Sequence, residues 1–305
     1  MKPTQSTVRA LLLGFGLSLS PVLAQTPDDL PALLADLGGP ITVQNAQGTD
    51  LTGRAVEVNA EGITLRQELG DGSAEVTYAA DEIFRVRLPV PEAVAIAQDW
   101  LANGETEAAV LLFEATFAQR KRFFPYLPAA EPPVFLDLAE ALVRADTPAQ
   151  AQRARAILTD LEAWMTTPPD RARWTDLRLL ATYLAQDYVA AHRLADAWIA
   201  HADRHAPNAL GWGIAASLDL RAGQPKAALR HALHPIVFSP TDGTPFLPHA
   251  YALAIKAALA LEDFPQARRL EAERKTRGLA WPAVIDPVDI PSEPEAADLS
   301  STVQE

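Results

Sequence analysis

The stretch LRAGQPKAALRHA, residues 220–232, decides how this chain is read. An apolar helix runs into Gly223, a residue suited to a left-handed helix stop, and Pro225 opens a second helix two residues later. Ala228 then places a small side chain in the first turn of that second helix. Antiparallel helices joined by so short a turn approach closely only where one presents Ala or Gly at the crossing. Four other places repeat the pattern: LANGETEAAVLLF (101–113), LVRADTPAQAQRA (142–154), YLAQDYVAAHRLA (183–195) and ALEDFPQARRLEA (260–272). The equivalent alanines are Ala109, Ala151, Ala191, Ala228 and Ala267, at spacings of 42, 40, 37 and 39 residues. Each interval suits two helices of three to four turns with their connections. In the third copy, Tyr188, Ala191, Ala195, Trp198 and Ala202 recur at steps of three and four, which traces one buried helix face. Its partner helix offers Trp174, Leu177, Ala181 and Leu184.

The segments Gly223-x-Pro225-x-x-Ala228 and Gln186-x-Tyr188-x-x-Ala191 resemble the tetratricopeptide repeat, a family that favours Gly, an aromatic residue and Ala at these offsets. The period is longer than that family's 34 residues. The turn glycine occurs in two copies, and Arg155 and Glu271 interrupt the apolar stripe. The resemblance implies a superhelix of about five helical hairpins over 90–280, with a groove that accepts an extended peptide or a helix of another protein. First-helix positions Arg178, Asp219 and Lys256 are the groove candidates. The competing expectation is an irregular helical domain whose helices merely alternate.

Before the array, the period changes from helical to alternating. Residues 41–43, 55–58, 63–65, 76–78 and 84–88 alternate apolar with polar, with turn signals at Gln47-Gly48, 59–62 and Gly70-Asp71-Gly72. Leu51 to Arg54 extends the second of these, and Gly53 would let that strand bend. Residues 79–83 are expected to form a brief turn before the last strand. Five short strands in residues 40–89 hide their edges most simply by curling, so the pattern resembles a small Sm-like or SH3-like barrel. Such a barrel has little core of its own and is expected to dock on the first helices of the array. Self-association through it is a further expectation. The fold class is therefore multidomain α and β: a small five-stranded β-barrel followed by an all-α tetratricopeptide-like superhelix.

The flanks carry the address and the charge. Lys2 and Arg9 precede an apolar run from Ala10 to Ser20, and Leu23-Ala24 closes a cleavage pattern, so residues 1–24 read as a secretory signal peptide. Residues 25–39 form a short helix and linker. No later stretch reaches 18 apolar residues. With no cysteine for disulfides or acylation, the expected location is the periplasm or the bacterial exterior. Cleavage would take the net charge from −13 to −15. Residues 90–280 are nearly balanced, with 20 basic and 22 acidic residues, while 40–90 hold eight acids and four bases. No basic stripe exists for nucleic acid. Residues 281–305 carry Pro282, Pro287, Pro291 and Pro294 with six acids and no base, and are expected to be a disordered tail, Trp281 and Val284-Ile285 excepted.

Three constellations invite chemistry. All six histidines lie between His192 and His249, and the pairs His201/His205 and His231/His234 have helical ligand spacing. The first lacks the intervening glutamate of a zinc-protease helix, and the repeat phases keep the pairs apart, so no metal or cofactor is expected. The stretch RKRFFPYLP (120–128) sets three cations before Phe123, Phe124 and Tyr126, as an exposed hot spot for a partner would. The alternative is that these aromatics fold back between the first two repeats. Carboxylate pairs such as Asp99/Glu105 and Asp160/Glu162 have the pattern of a solvated helix face, and no nucleophile-elbow serine or phosphate loop occurs. The functional expectation is an exported, non-enzymatic scaffold or adaptor that binds a protein or peptide of the cell envelope. A glycan-processing or glycan-binding protein of the cell wall on the same superhelical frame is the alternative.

Overall fold

The computed structural model describes residues 26–70, 72–202, 208–238 and 244–291. The expected signal peptide, His205, Asp71 and the end of the tail lie outside them. A 3-10 turn leads into helix α1 (Leu30–Leu37), and the antiparallel strands follow: β1 (Ile41–Asn45), β2 (Asp50–Val58), β3 (Gly62–Leu69), β4 (Gly72–Ala79) and β5 (Ile83–Arg87). The brief turn before β5 is a 3-10 turn over Ala80–Glu82. The strand order is β4-β3-β2-β1-β5.

The five strands are those the alternation predicts, but the barrel is not closed. Among the described residues β4 and β5, the two ends of the order, do not pair. A register shift between Ala55 and Glu57 bends β2 midway, so one half pairs with β1 and the other with β3. Gly53 serves close approach: a β-carbon there would stand 2.7 Å from the Arg66 carbonyl oxygen on β3. Ile41, Val43, Ile63, Leu65, Val86 and Leu88 form the sheet's core, and Phe123 from the helical array completes it. A side chain contributed by the array thus covers apolar surface that a closing strand would otherwise cover.

The array consists of five α-hairpins: α2 (Ala93–Ala102) with α3 (Thr106–Arg120), α4 (Leu136–Arg144) with α5 (Pro148–Leu161), α6 (Pro168–Leu184) with α7 (Tyr188–His201), α8 (Leu210–Arg221) with α9 (Pro225–Phe238), and α10 (Leu247–Ala260) with α11 (Phe264–Thr276). Each second helix packs on the next first helix, and α4, α6, α8 and α10 pack successively on one another. Ala109, Ala151, Ala191, Ala228 and Ala267 are all fully buried. Each stands five residues after a left-handed residue, at Gly104, Asp146, Gln186, Gly223 and Glu262. In four of the five turns, the residue after the left-handed one donates its amide back to the first helix, as Gln224 does to Asp219 at 2.8 Å. The repeat is therefore a backbone motif, and the glycines the sequence offers mark two of its five copies.

Both ends of the stack are covered. At the start, α1 packs on α3. At the end, Trp281, Ile285, Val288 and Ile290 pack on the α10–α11 core, Trp281 Nε1 donates to Ile285 O at 2.6 Å, and Arg268 donates to Pro291 O at 2.9 Å. This corrects the expectation of disorder from residue 281: the segment to 291 is held by apolar side chains spaced between its prolines. Ile285 joins the core, whereas Val284 faces solvent.

Candidate functional site: a three-arginine cleft

Of the two readings of 120–128, the structure fits the one in which the aromatics fold back: Phe123 and Phe124 are buried. After α3, residues Lys121–Tyr126 form a 3-10 helix that turns Phe123 into the sheet core and Phe124 into the helical core. Phe124 packs against Phe117, Phe135 and Trp164, with ring centroids 5.5 to 6.0 Å apart. Tyr126 donates its hydroxyl to Asn59 O at 2.5 Å, in the turn between β2 and β3. These residues are the joint between sheet and array, and Phe123 and Phe124 offer no surface to a partner. Arg120, 4% exposed, holds the same joint through the Val90 and Pro91 carbonyls and Glu131.

The groove candidates separate in the same way. Asp219 is 4% exposed, which removes it from any groove. Its carboxylate lies 2.7 Å from His231 Nδ1 and 4.0 Å from His192 Nε2, so it ties α7, α8 and α9 together. Lys256 is half-buried on α10. Arg178 lines a cleft.

That cleft, of about 360 Å³, opens between α5, α6 and α7. Two helices present the same pair to it at i and i+4: Arg155 with Thr159, and Arg178 with Thr182. Each threonine hydroxyl donates to the carbonyl of its own arginine, at 2.9 and 2.7 Å. Arg193 comes from α7. Arg178 rests over the Trp174 ring at 4.8 Å and reaches Glu162 at 3.6 Å. Arg155 bonds Asp187 at 3.1 Å, and the other oxygen of Asp187 caps α7 by accepting from Ala190 N at 3.2 Å. Arg193 has no carboxylate partner among the described residues. Three guanidiniums against two acids make a positive site on a chain of net charge −13. Guanidiniums fixed by stacking and ion pairs recognise carboxylates or phosphates with two parallel N–H donors. Sequence reasoning flagged Arg178 but took Arg155 as a flaw in an apolar stripe. Arg-x-x-x-Thr recurs at 155–159 and 178–182 but also at 171–175, outside the cleft, so the pattern alone does not mark the site.

The remaining polar groups brace the stack. Gln98 of α2 donates to Asp137 at 2.7 Å, and Arg173 of α6 reaches Asp137 and Glu140 at 2.7 and 2.6 Å. Burial works to raise the Glu140 carboxyl, but Arg173 and Arg144 outweigh it and hold it below the usual carboxylate range. Burial raises Asp176 against the bonds it accepts from Trp198 and Asn208. The Tyr251 phenol is pushed up to about 12 by burial and by its bond to Glu273. His234 stacks on Trp212 at 3.8 Å while His231 is held by Asp219, so the i, i+3 pair does not converge. His201 bonds Ala197 O at 2.7 Å. Among the described residues no group of three or more His, Cys, Asp or Glu is placed to hold a metal ion. Of the carboxylates noted in the sequence, Asp160 bonds Lys121 at 2.9 Å and Asp99 accepts from Asn103 at 3.3 Å. Among the described residues no helix is long and apolar enough to cross a membrane.

No family model matches the chain, and no curated protein matches it. Among solved structures it is similar to one described as the crystal structure of MamA protein, with a TM-score of 0.44 and 16% identity over 62% of this chain and 97% of that one.

Proposed function

We propose that this chain is an exported, non-enzymatic adaptor that binds an acidic segment of an envelope protein along its helical hairpins. The cleft of Arg155, Arg178 and Arg193 is the observation that carries the reading. A positive cleft on an acidic protein selects an anionic partner and steers its approach. The stacked hairpins supply a rigid support for that cleft, with each guanidinium on a helix rather than on a loop. Export is supported by the leader-like residues 1–24.

The test is crosslinking in the native envelope with the whole protein and with an Arg178→Glu/Arg193→Glu variant. A specific envelope protein crosslinked by the native chain and lost in the variant is the expected result. Equal capture by both would overturn the reading.

A further inference from the structure

A second cleft, of about 340 Å³, lies where the sheet meets the array. It shares no residue with the three-arginine cleft. Helix α1 stops before Gly38-Gly39 and the chain turns into β1, leaving a gap between α1, β2 and α3. Leu37, Ile41, Ala55 and Ala115 line this gap, and Leu34 stands there 38% exposed.

Two cations share that apolar surround, Arg54 from β2 and Arg122 from the turn after α3. Neither has a carboxylate partner among the described residues. The cross-strand neighbour of Arg54 is Arg66, and Arg66 takes Glu75 for itself at 2.6 Å. Like charges directly opposite on antiparallel strands cost stability. The Arg122 guanidinium lies over the Phe123 ring at 4.8 Å, which holds it beside the cleft.

Gln119 braces one wall of the cleft. Its Nε2 donates to Leu37 O at 2.5 Å, which fixes the other end of the amide as oxygen. That oxygen is buried with no donor.

We infer that the junction cleft binds an apolar carboxylate, with an aliphatic body against Leu34, Leu37 and Ala115 and the anionic head toward Arg54 and Arg122. The volume is at the small end for ligand pockets, which limits the occupant to a residue or two. A polypeptide carboxy-terminus ending in aliphatic residues has this chemistry, and so does a medium-chain fatty acid. The volume, sized for a residue or two, favours the peptide terminus.

Calorimetric titration of the whole protein tests this with three probes: N-acetyl-Ala-Leu-Val bearing a free carboxylate, the same peptide as its amide, and decanoate. Saturable binding of the free acid, about tenfold tighter than the amide, is expected. Arg54→Gln and Leu34→Gln each weaken it about tenfold without lowering the thermal melt, because both side chains are exposed and Arg54→Gln also relieves the repulsion from Arg66. Decanoate bound in preference, and weakened by the same two variants, supports the cleft and assigns its source to lipid. The Arg178→Glu/Arg193→Glu variant binds all three probes as the native chain does, so failure of the adaptor reading leaves this result standing. Binding of neither acid, equal binding of acid and amide, or variants that bind like the native chain would overturn the inference.

Discussion

Gly211 lies directly beneath the indole of Trp198: a β-carbon built on Gly211 would stand 2.2 Å from Trp198 Cε3. The indole cannot retreat freely, because its Nε1 donates to Asp176 at 2.7 Å and Asn208 bonds the other oxygen of that carboxylate at 3.1 Å. One ring therefore sets how closely the fourth hairpin nests on the third.

Gly211→Ala should destabilise the protein by about 1–3 kcal/mol, the usual range for overpacking a fitted core. Gly213→Ala is the control on the same helix. Nothing lies within 4 Å of a β-carbon there, so the gain in helix propensity of about 0.5–1 kcal/mol should appear undiminished. Denaturant midpoints of the two variants should move in opposite directions; movement in the same direction would deny that contact with Trp198 is what matters.

The left-handed turn residues give a second pair. Gln186 and Glu262 hold φ of +62° and +58° with side chains that disfavour it. That conformation costs an ordinary residue about 1–2 kcal/mol. Replacement by glycine relieves it and loses about 0.5–1 kcal/mol to backbone freedom. Gln186→Gly and Glu262→Gly should each stabilise by about 0.5 kcal/mol, while Gly223→Ala, the reverse change, should cost about 0.5 kcal/mol. Thermal melts at fixed pH read all three.

Those turns also show what was legible beforehand. The alanine spacing was, because a helix crossing admits only a small side chain and the pattern survives as letters at Ala109, Ala151, Ala191, Ala228 and Ala267. The left-handed turn was legible only where glycine occupies it, since Asp146, Gln186 and Glu262 meet the same geometry without announcing it. The strands could be placed from their alternation. Closure could not, because the residue completing the sheet core, Phe123, lies 35 residues after Leu88, the core residue that follows β5. Long-range packing of that kind leaves no local period. Arg178 was found as a first-helix position, but its cleft depends on the relative phase of three helices, which no single segment encodes.

Phe123 and Phe124 should fail differently when truncated. Either change to alanine costs about 3–5 kcal/mol, the range for a buried phenylalanine. Phe123→Ala opens the sheet core, so amide exchange should accelerate in β1, β3 and β5 before the helices. Phe124→Ala removes the ring that packs on Phe117, Phe135 and Trp164, so exchange should accelerate in α3, at the start of α4 and in the turn after α5 while the strands remain protected. Identical exchange patterns would mean that sheet and array unfold as one unit.

His249 gives stability a dependence on pH. Burial lowers its pKa, and its Nδ1 has no hydrogen-bond partner among the described residues. The unfolded chain takes up a proton near pH 6.5 while the folded one still resists it. As pH falls through that value, the unfolded state binds more protons and native stability declines, until the folded pKa is passed. His249→Leu removes this contribution. The stability difference between variant and native chain should therefore shift toward the variant between about pH 7 and pH 5. A difference that stays constant over this interval would show that His249 does not titrate separately in the two states.

The three-arginine cleft makes a prediction opposite in sign to an ordinary loss of contact. Asp187 both caps α7 and neutralises Arg155. Asparagine caps a helix about as well as aspartate. Asp187→Asn should therefore leave α7 intact and release the Arg155 guanidinium from an exposed ion pair worth at most about 1 kcal/mol. The cleft then gains one uncompensated positive charge. An acidic peptide should bind the variant a few-fold more tightly than the native chain, and the advantage should shrink as salt is raised past about 0.15 M. Arg178→Lys should act the other way and weaken binding, because an ammonium keeps the charge but loses the paired donors and much of the stacking on Trp174. Anisotropy titration of a labelled Glu-rich peptide against the three proteins gives the ranking directly. If Asp187→Asn binds no better than the native chain, the charge of this cleft is not what the partner recognises.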